Sequence, residues 1–256
     1  MNAAPALVLH IPHASPGVPN DVRENLLLSD RGLAAELLRV TDAFTDELYA
    51  VPPEQASAIV YPVSRLVVDP ERFRDDAEEV MAERGVGAVY LSTSDGKPLR
   101  RELTDERREV LLRTWYDPHH ARVTAAVRRA LDAHGRCLIV DCHSYPATPL
   151  FTDLDQSVPR PAFCLGTDSF HTPVELTEAG REWLEARGYT VLVDRPYAGT
   201  LVPRDFYRSD PRVHSIMIEV NRALYMDEAT GQKSARFAEM RQLITGLIAH
   251  LAAAAR

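Results

Sequence analysis

Short apolar runs separated by segments of helical period set the pattern of this chain. Ala6–Ile11 (ALVLHI) is apolar but for one histidine and stops at Pro12. That predicts a buried strand feeding a loop, since a strand covered on both faces shows no alternation. The loop that follows, PHASPGVPN, is built from turn formers. From Ser29 to Tyr49, Leu33, Leu37, Leu38, Phe44 and Leu48 recur at helical spacing, with Ser29 as N-cap and Asp30 in the first turn. Ala58–Tyr61 and Arg65–Val68 read as strand pieces around Pro62, and Asp75–Lys97 as an excursion over the active-site face. Glu102 to Leu131 is mostly helical, interrupted near Tyr116-Asp117-Pro118. Cys137–Val140 is a second buried strand ending at Asp141-Cys142-His143-Ser144.

Phe163–Gly166, Thr190–Val193 and Ser215–Val220 supply further strands. Helices are expected over Thr172–Arg187, stopping at Gly188, and from about Lys233 to Ala253. Strands alternating with helices predict an α/β fold, with helices on both faces of a parallel or mixed sheet.

With 256 residues, 45% of them hydrophobic, the chain can bury a sizeable core. No Ser/Gly-rich linker and no internal repeat divides it, so one domain over 1–256 is expected. A net charge of −8 disfavours a nucleic-acid partner, whereas a few local arginines can still receive an anionic small molecule. Three cysteines, Cys137, Cys142 and Cys164, make no disulfide framework and fit a reducing cytoplasm. The N-terminus lacks a basic region ahead of its short apolar run, and no window approaches a membrane span, so a soluble cytoplasmic protein is expected. Nothing here speaks against a homo-oligomer. The chain has no Gly-x-Ser-x-Gly elbow, no P-loop and no Gly-x-Gly-x-x-Gly, which argues against a serine hydrolase or a nucleotide enzyme.

Polar residues recur where apolar strands end: His13 after ALVLHI, His143 after CLIVD, and Glu219 inside SIMIEV. Ligands of open α/β sheets sit beyond the carboxyl ends of strands. Two histidines with carboxylates gathered there would make a catalytic zinc site of three nitrogen or oxygen ligands and one open position. A further carboxylate, off the metal, would handle the proton. Asp141, two residues before His143, could orient the imidazole or cap a turn. Asp42 and Asp46 lie four apart, on one helix face, where a metal or an arginine would relieve their repulsion unless the face is simply solvated. Arg65 and Arg72 could grip a carboxylate, or pair with Asp69, Glu71 or Asp75. Tyr197 is presented by a turn, and Arg222 follows the last strand.

In order along the chain stand Pro12-His13-Ala14-Ser15, Thr41-Asp42 with Asp46-Glu47-Leu48-Tyr49, Ser64-Arg65 with Val68-Asp69 and Arg72, Asp141-Cys142-His143-Ser144, Pro196-Tyr197-Ala198-Gly199, and Ile218-Glu219-Val220-Asn221-Arg222 through Tyr225. From about residue 8 to residue 228 this series resembles the N-formylglutamate amidohydrolase family. The resemblance implies a zinc-carboxypeptidase-like three-layer α/β sandwich around a mixed, mostly parallel sheet, related also to the aspartoacylases. It implies one Zn2+, or another divalent ion, on His13, His143 and either Asp42 or Asp46, with Asp42 preferred. Glu219 takes the place of the general base, Arg65 and Arg72 that of the carboxylate grip, and Tyr197 and Arg222 complete the pocket. The activity implied is hydrolysis of an N-formyl or N-acyl amino acid, a small-molecule substrate such as N-formylglutamate, in histidine degradation. The rivals are a zinc hydrolase for another N-acyl amino acid or small peptide, and a metal-free binding protein of the same fold. Two departures bear on the substrate: Asp69-Pro70-Glu71-Arg72 carries Glu71 where the family pattern has Asn, and Asp42-Ala43-Phe44 stands for Asp-Trp-His.

Overall fold

The computed structural model describes residues 4–255. Six strands form one sheet: β1 (Leu7–Ile11), β2 (Ser57–Val60), β3 (Cys137–Tyr145), β4 (Phe163–Gly166), β5 (Val191–Val193) and β6 (Val213–Asn221). Their order is β2-β1-β3-β6-β4-β5. β2, β1, β3 and β6 run parallel, β4 is antiparallel to β6, and β5 is parallel to β4. This is the mixed, mostly parallel sheet that the alternation predicts, with helices on both faces. A small hairpin, β7 (Met226–Asp227) with β8 (Gln232–Lys233), precedes the final helix.

Residue parity assigns the two faces. Leu7, Leu9 and Ile11 of β1, Leu138, Val140 and Cys142 of β3, and Ile216, Ile218 and Val220 of β6 pack with Leu176 and Leu184 of α6 (Val174–Glu185) and with Ile244, Leu247 and Leu251 of α7 (Phe237–Ala254). The alternate residues Val8, Cys137, Ile139 and Val213 pack beneath Val123, Val127 and Leu131 of α5 (Asp117–His134). Each such buried aliphatic side chain stabilises the fold by roughly 1.5–3 kcal/mol, so Val127→Asp would detach the α5 layer. On this second face the strands change character toward their carboxyl ends: His10, Asp141, His143 and Glu219 share the parity of Val8, Ile139 and Val213. They emerge where α5 begins, and there the face opens into a cavity of about 1630 Å³.

The structure differs from the sequence expectation at four places. The helix expected over Ser29–Tyr49 is two, α2 (Asp30–Val40) and α3 (Thr45–Leu48), after the single turn α1 (Asn20–Arg23). Phe44 takes φ 66°, a left-handed conformation that breaks the helical path, so Asp42 and Asp46 do not share a helix face. Arg65–Val67 is a turn rather than a strand, because the Ser64 hydroxyl accepts from Leu66 N and Ser64 O from Val67 N. Pro118 does not interrupt its helix. α4 (Asp105–Leu111) runs on through a π turn at Leu112–Tyr116 into α5, and the wide turn accommodates the proline at the start of α5. Finally, β3 continues through Asp141–Tyr145, nine residues paired along their length with β6, so His143 lies within a strand. All three cysteines are buried and unbridged.

Candidate metal centre and active site

Three chain segments converge at the open end of β1 and β3. Pro12 ends β1, and His13 follows, 2% exposed. Its carbonyl accepts from Asp42 N at 3.0 Å, which draws the α2–α3 break against the strand end. His143 reaches the same point from β3, opposite Glu219 in the register with β6. One ligand atom each from His13, Asp42 and His143 lie within 4.8 Å of one another, and all three residues are buried. Asp42 Oδ2 is 3.6 Å from His13 Nδ1 and 3.2 Å from His143 Nδ1. Bond lengths of about 2.0–2.1 Å around a tetrahedral ion place neighbouring ligand atoms roughly 3.3 Å apart, so these separations fit. His13 Nδ1 is buried and has no hydrogen-bond partner, as expected of a nitrogen reserved for a cation.

The far nitrogen of each imidazole is tied to a carboxylate. His13 Nε2 donates to Asp69 Oδ1 at 2.8 Å, and His143 Nε2 donates to Asp141 Oδ1 at 3.1 Å. This fixes both tautomers with Nδ1 toward Asp42, the pattern that orients metal-ligating histidines. Asp69 is itself held by Arg65, whose Nε and Nη2 donate at 3.2 and 2.9 Å, and by the Tyr90 hydroxyl at 2.6 Å. Asp42 Oδ1 accepts from Arg222 Nη2 at 2.8 Å. Burial opposes ionisation of Asp42, yet the neighbouring His13 and His143 imidazoles and the nearby Arg222 charge hold its carboxyl well below the usual range. His143 is likewise penalised by burial, but Asp141 and Asp42 raise it well above the ordinary imidazole value.

Glu219 is a different kind of carboxylate. It is 7% exposed, and its Oε2 has no partner. Burial, with Asp42 adding to it against the opposing pull of His143, pushes it up to about 8. A buried, partnerless carboxyl beside a donor cluster is suited to exchange a proton with a bound molecule. The Tyr49 hydroxyl lies 2.9 Å from His143 O and 2.7 Å from Ile218 O, pinning together the strands that carry His143 and Glu219.

A model of the family described as N-formylglutamate amidohydrolase matches residues 5–226. The chain belongs to that family. A protein named N-formylglutamate deformylase from Pseudomonas aeruginosa is 27% identical over 214 residues, covering 78% of this chain and 76% of its own. One of the same name from Pseudomonas putida is 25% identical over 235 residues, covering 87% and 82%. Among solved structures, an N-formylglutamate amidohydrolase from Ralstonia eutropha superposes with a TM-score of 0.84 at 24% identity, covering 98% of this chain and 94% of that one. A gene product from Agrobacterium tumefaciens gives 0.66 at 19% identity, covering 96% and 90%. At these identities the two superpositions speak for the fold.

Of the residues singled out from sequence, His13, Asp42, His143, Glu219, Arg65, Arg72, Tyr197 and Arg222 all line this cavity. Asp46 does not: it is exposed on α3, and Asp42 is the carboxylate among the donors. Arg222 is 3% exposed, and its guanidinium donates to Asp42, Ser144 Oγ and O, and Arg39 O, so it braces the donor cluster instead of offering a free grip. Arg65 is similarly committed to Asp69. The Tyr197 hydroxyl accepts from Arg160 Nη1 at 2.9 Å, while its loop crosses β4 so closely that a Cβ on Gly166 would collide with the Gly199 carbonyl. Sequence reasoning missed His10. It is fully buried, bonded through Nδ1 to Asp141 at 2.8 Å and through Nε2 to His119 at 2.7 Å, and 3.0 Å from Glu71 Oε1. Its signal was a lone histidine inside an otherwise apolar strand. Among the described residues, no helix is long and apolar enough to cross a membrane.

Proposed function

We propose that the chain hydrolyses the amide bond of an N-formyl or other N-acyl amino acid, N-formylglutamate being the one that the relatives' names point to, with a divalent cation, zinc foremost, held by His13, Asp42 and His143. The observation that carries this reading is the convergence of Asp42 Oδ2 and His143 Nδ1 on the buried, partnerless His13 Nδ1. When bound, such an ion supplies a Lewis acid that activates water and polarises the amide carbonyl.

The chain's own residues do the rest. Asp69 and Asp141 hold the two imidazoles in the orientation that turns Nδ1 toward Asp42. Glu219, in its ionised form, takes a proton from the attacking water and delivers it to the amide nitrogen as the C–N bond breaks, so that formate and the free amino acid leave. A dication nearby would draw the Glu219 carboxyl down from about 8 and ready it as a base. Arg72, on the cavity wall, pairs with the substrate's carboxylate.

Metal analysis of the purified protein, with His13→Ala and His143→Ala alongside, tests the site. About one ion per chain is expected, lost in both variants, together with formate release from N-formylglutamate by the wild type. Glu219→Gln should keep the metal and lose about 100-fold or more in turnover. Absence of metal, or metal indifferent to both histidines, would overturn the mechanism.

A further inference from the structure

The charges around the donor cluster are unevenly matched. Arg65 is bonded to Asp69, and Arg222 to Asp42. Arg39, half exposed, lies 3.6 Å from the buried Glu36, and the outer arginines are paired too, Arg195 with Asp155 and Arg204 with Glu78. Arg72 is the exception. Among the described residues its side chain donates no hydrogen bond; its Nε is buried without a partner, 3.8 Å from an Asp69 oxygen already engaged by Arg65. The inner cavity therefore offers one grip for one carboxylate.

Beside that grip stands a carboxylate in search of a donor. Glu71, 15% exposed at its side chain, lines the cavity. Its Oε1 is buried against His10 Nδ1 at 3.0 Å, a nitrogen that donates to Asp141 Oδ1 at 2.8 Å, which leaves Oε2 as the oxygen toward the cavity. Its Oε2 lies 3.9 Å from His143 Nε2, which bonds to Asp141. Glu71 is thus fixed beside His10 and a metal-ligand candidate, one residue from Arg72 on the same cavity wall, with Oε2 accepting no hydrogen bond among the described residues. A carboxylate oxygen that lines a cavity without a donor favours a ligand that brings an N–H and disfavours one that brings another oxyanion.

We propose that Glu71 is a specificity-determining residue that accepts a hydrogen bond from the substrate's side chain. The site then selects N-acyl amino acids with a single carboxylate and an amide or cationic side chain over N-acyl dicarboxylic amino acids. The inference rests on the amide-hydrolase reading. N-formylglutamine and N-formylglutamate are a nearly isosteric pair that isolates it. Two like charges about 6 Å apart in surroundings of effective dielectric near 20 are disfavoured roughly 100-fold, and part of this is relieved by His10.

The experiment is kcat/KM of the metal-loaded enzyme on this pair, in wild type and Glu71→Gln. Wild type should favour N-formylglutamine by about tenfold or more, and Glu71→Gln should bring the two within about threefold, mainly by improving N-formylglutamate. Equal or better use of N-formylglutamate by wild type overturns the proposal, as does a ratio that Glu71→Gln leaves unchanged. Calorimetric binding of both compounds to metal-loaded Glu219→Gln keeps the two readings apart. The same preference in binding without any wild-type turnover sustains the selectivity and sinks the hydrolysis; turnover of both compounds with no preference does the reverse.

Discussion

Glu219→Gln makes a prediction in the metal-free protein that is independent of turnover. Burial raises the Glu219 carboxyl from 4.5 to about 8. At about 1.4 kcal/mol per unit, the buried charge disfavours the fold by about 5 kcal/mol once ionisation is complete. Between those two values the folded state keeps the proton and the unfolded chain releases it, so wild-type stability falls as pH rises from about 4.5 to about 8. The glutamine variant has no such proton and escapes this loss. Its stability relative to wild type should grow by about 3 to 4 kcal/mol between pH 5 and pH 8. For a chain of this length that is roughly 6 to 8 °C in Tm. The assay is thermal or denaturant unfolding of both EDTA-treated proteins at the two pH values. Comparing the differences cancels the fixed cost of burying an amide. A relative stability that stays flat or shrinks with pH would mean that Glu219 ionises in its ordinary range, and the case for a proton-holding base would fall with it.

Two further substitutions probe the support of the donor cluster. Asp69→Asn removes the charge that fixes His13 through Nε2; metal affinity should drop about 10- to 100-fold in a competition titration with a chelator, and an unchanged affinity would show that His13 needs no such brace. Arg222→Met strips the buried Asp42 carboxylate of its counter-ion, which should destabilise the metal-free protein by about 3–5 kcal/mol. Saturating zinc should recover much of that loss in a thermal melt, and failure to recover any would detach Asp42 from the metal site.

Much of the fold was legible because a doubly covered strand needs an apolar run and little else. β1, β4 and β6 were found from ALVLHI, FCLG and SIMIEV, within a few residues of their ends. The carboxyl half of β3 was lost for a physical reason: Asp141, His143 and Ser144 look like a loop, yet their backbones pair with β6 while their side chains fill a polar site. The helical break at Phe44 left no trace either, since the left-handed φ arises from packing and not from glycine or proline. In the site, His13, Asp42, His143 and Glu219 are singled out in the sequence through the family resemblance, with Asp46 as an alternative to Asp42, and the structure brings the four to one cavity. The contacts that fix their chemistry are not legible in the sequence. His10 meets Asp141 across 131 residues through the pairing of β1 with β3, and His13 meets Asp69 across 56 residues through a loop, neither of which the sequence pattern reveals.

The parity of the strands has a consequence for how this protein can change. His10, Asp141, His143 and Glu219 all lie on the α5 side of the sheet, the last two lining the cavity, because each lies an even number of residues from an apolar neighbour under α5. Inserting or deleting one residue in β3 or β6 would turn that strand's polar side chains into the aliphatic layer beneath α6 and α7 and bring Cys142 or Ile218 toward the cavity. The strands are a ruler that tolerates replacement but not a change of length. The stretches that carry Glu71 and Tyr197 lie outside the strands and have no such phase to keep, so new substrates can be reached there while the reactive centre stays in register.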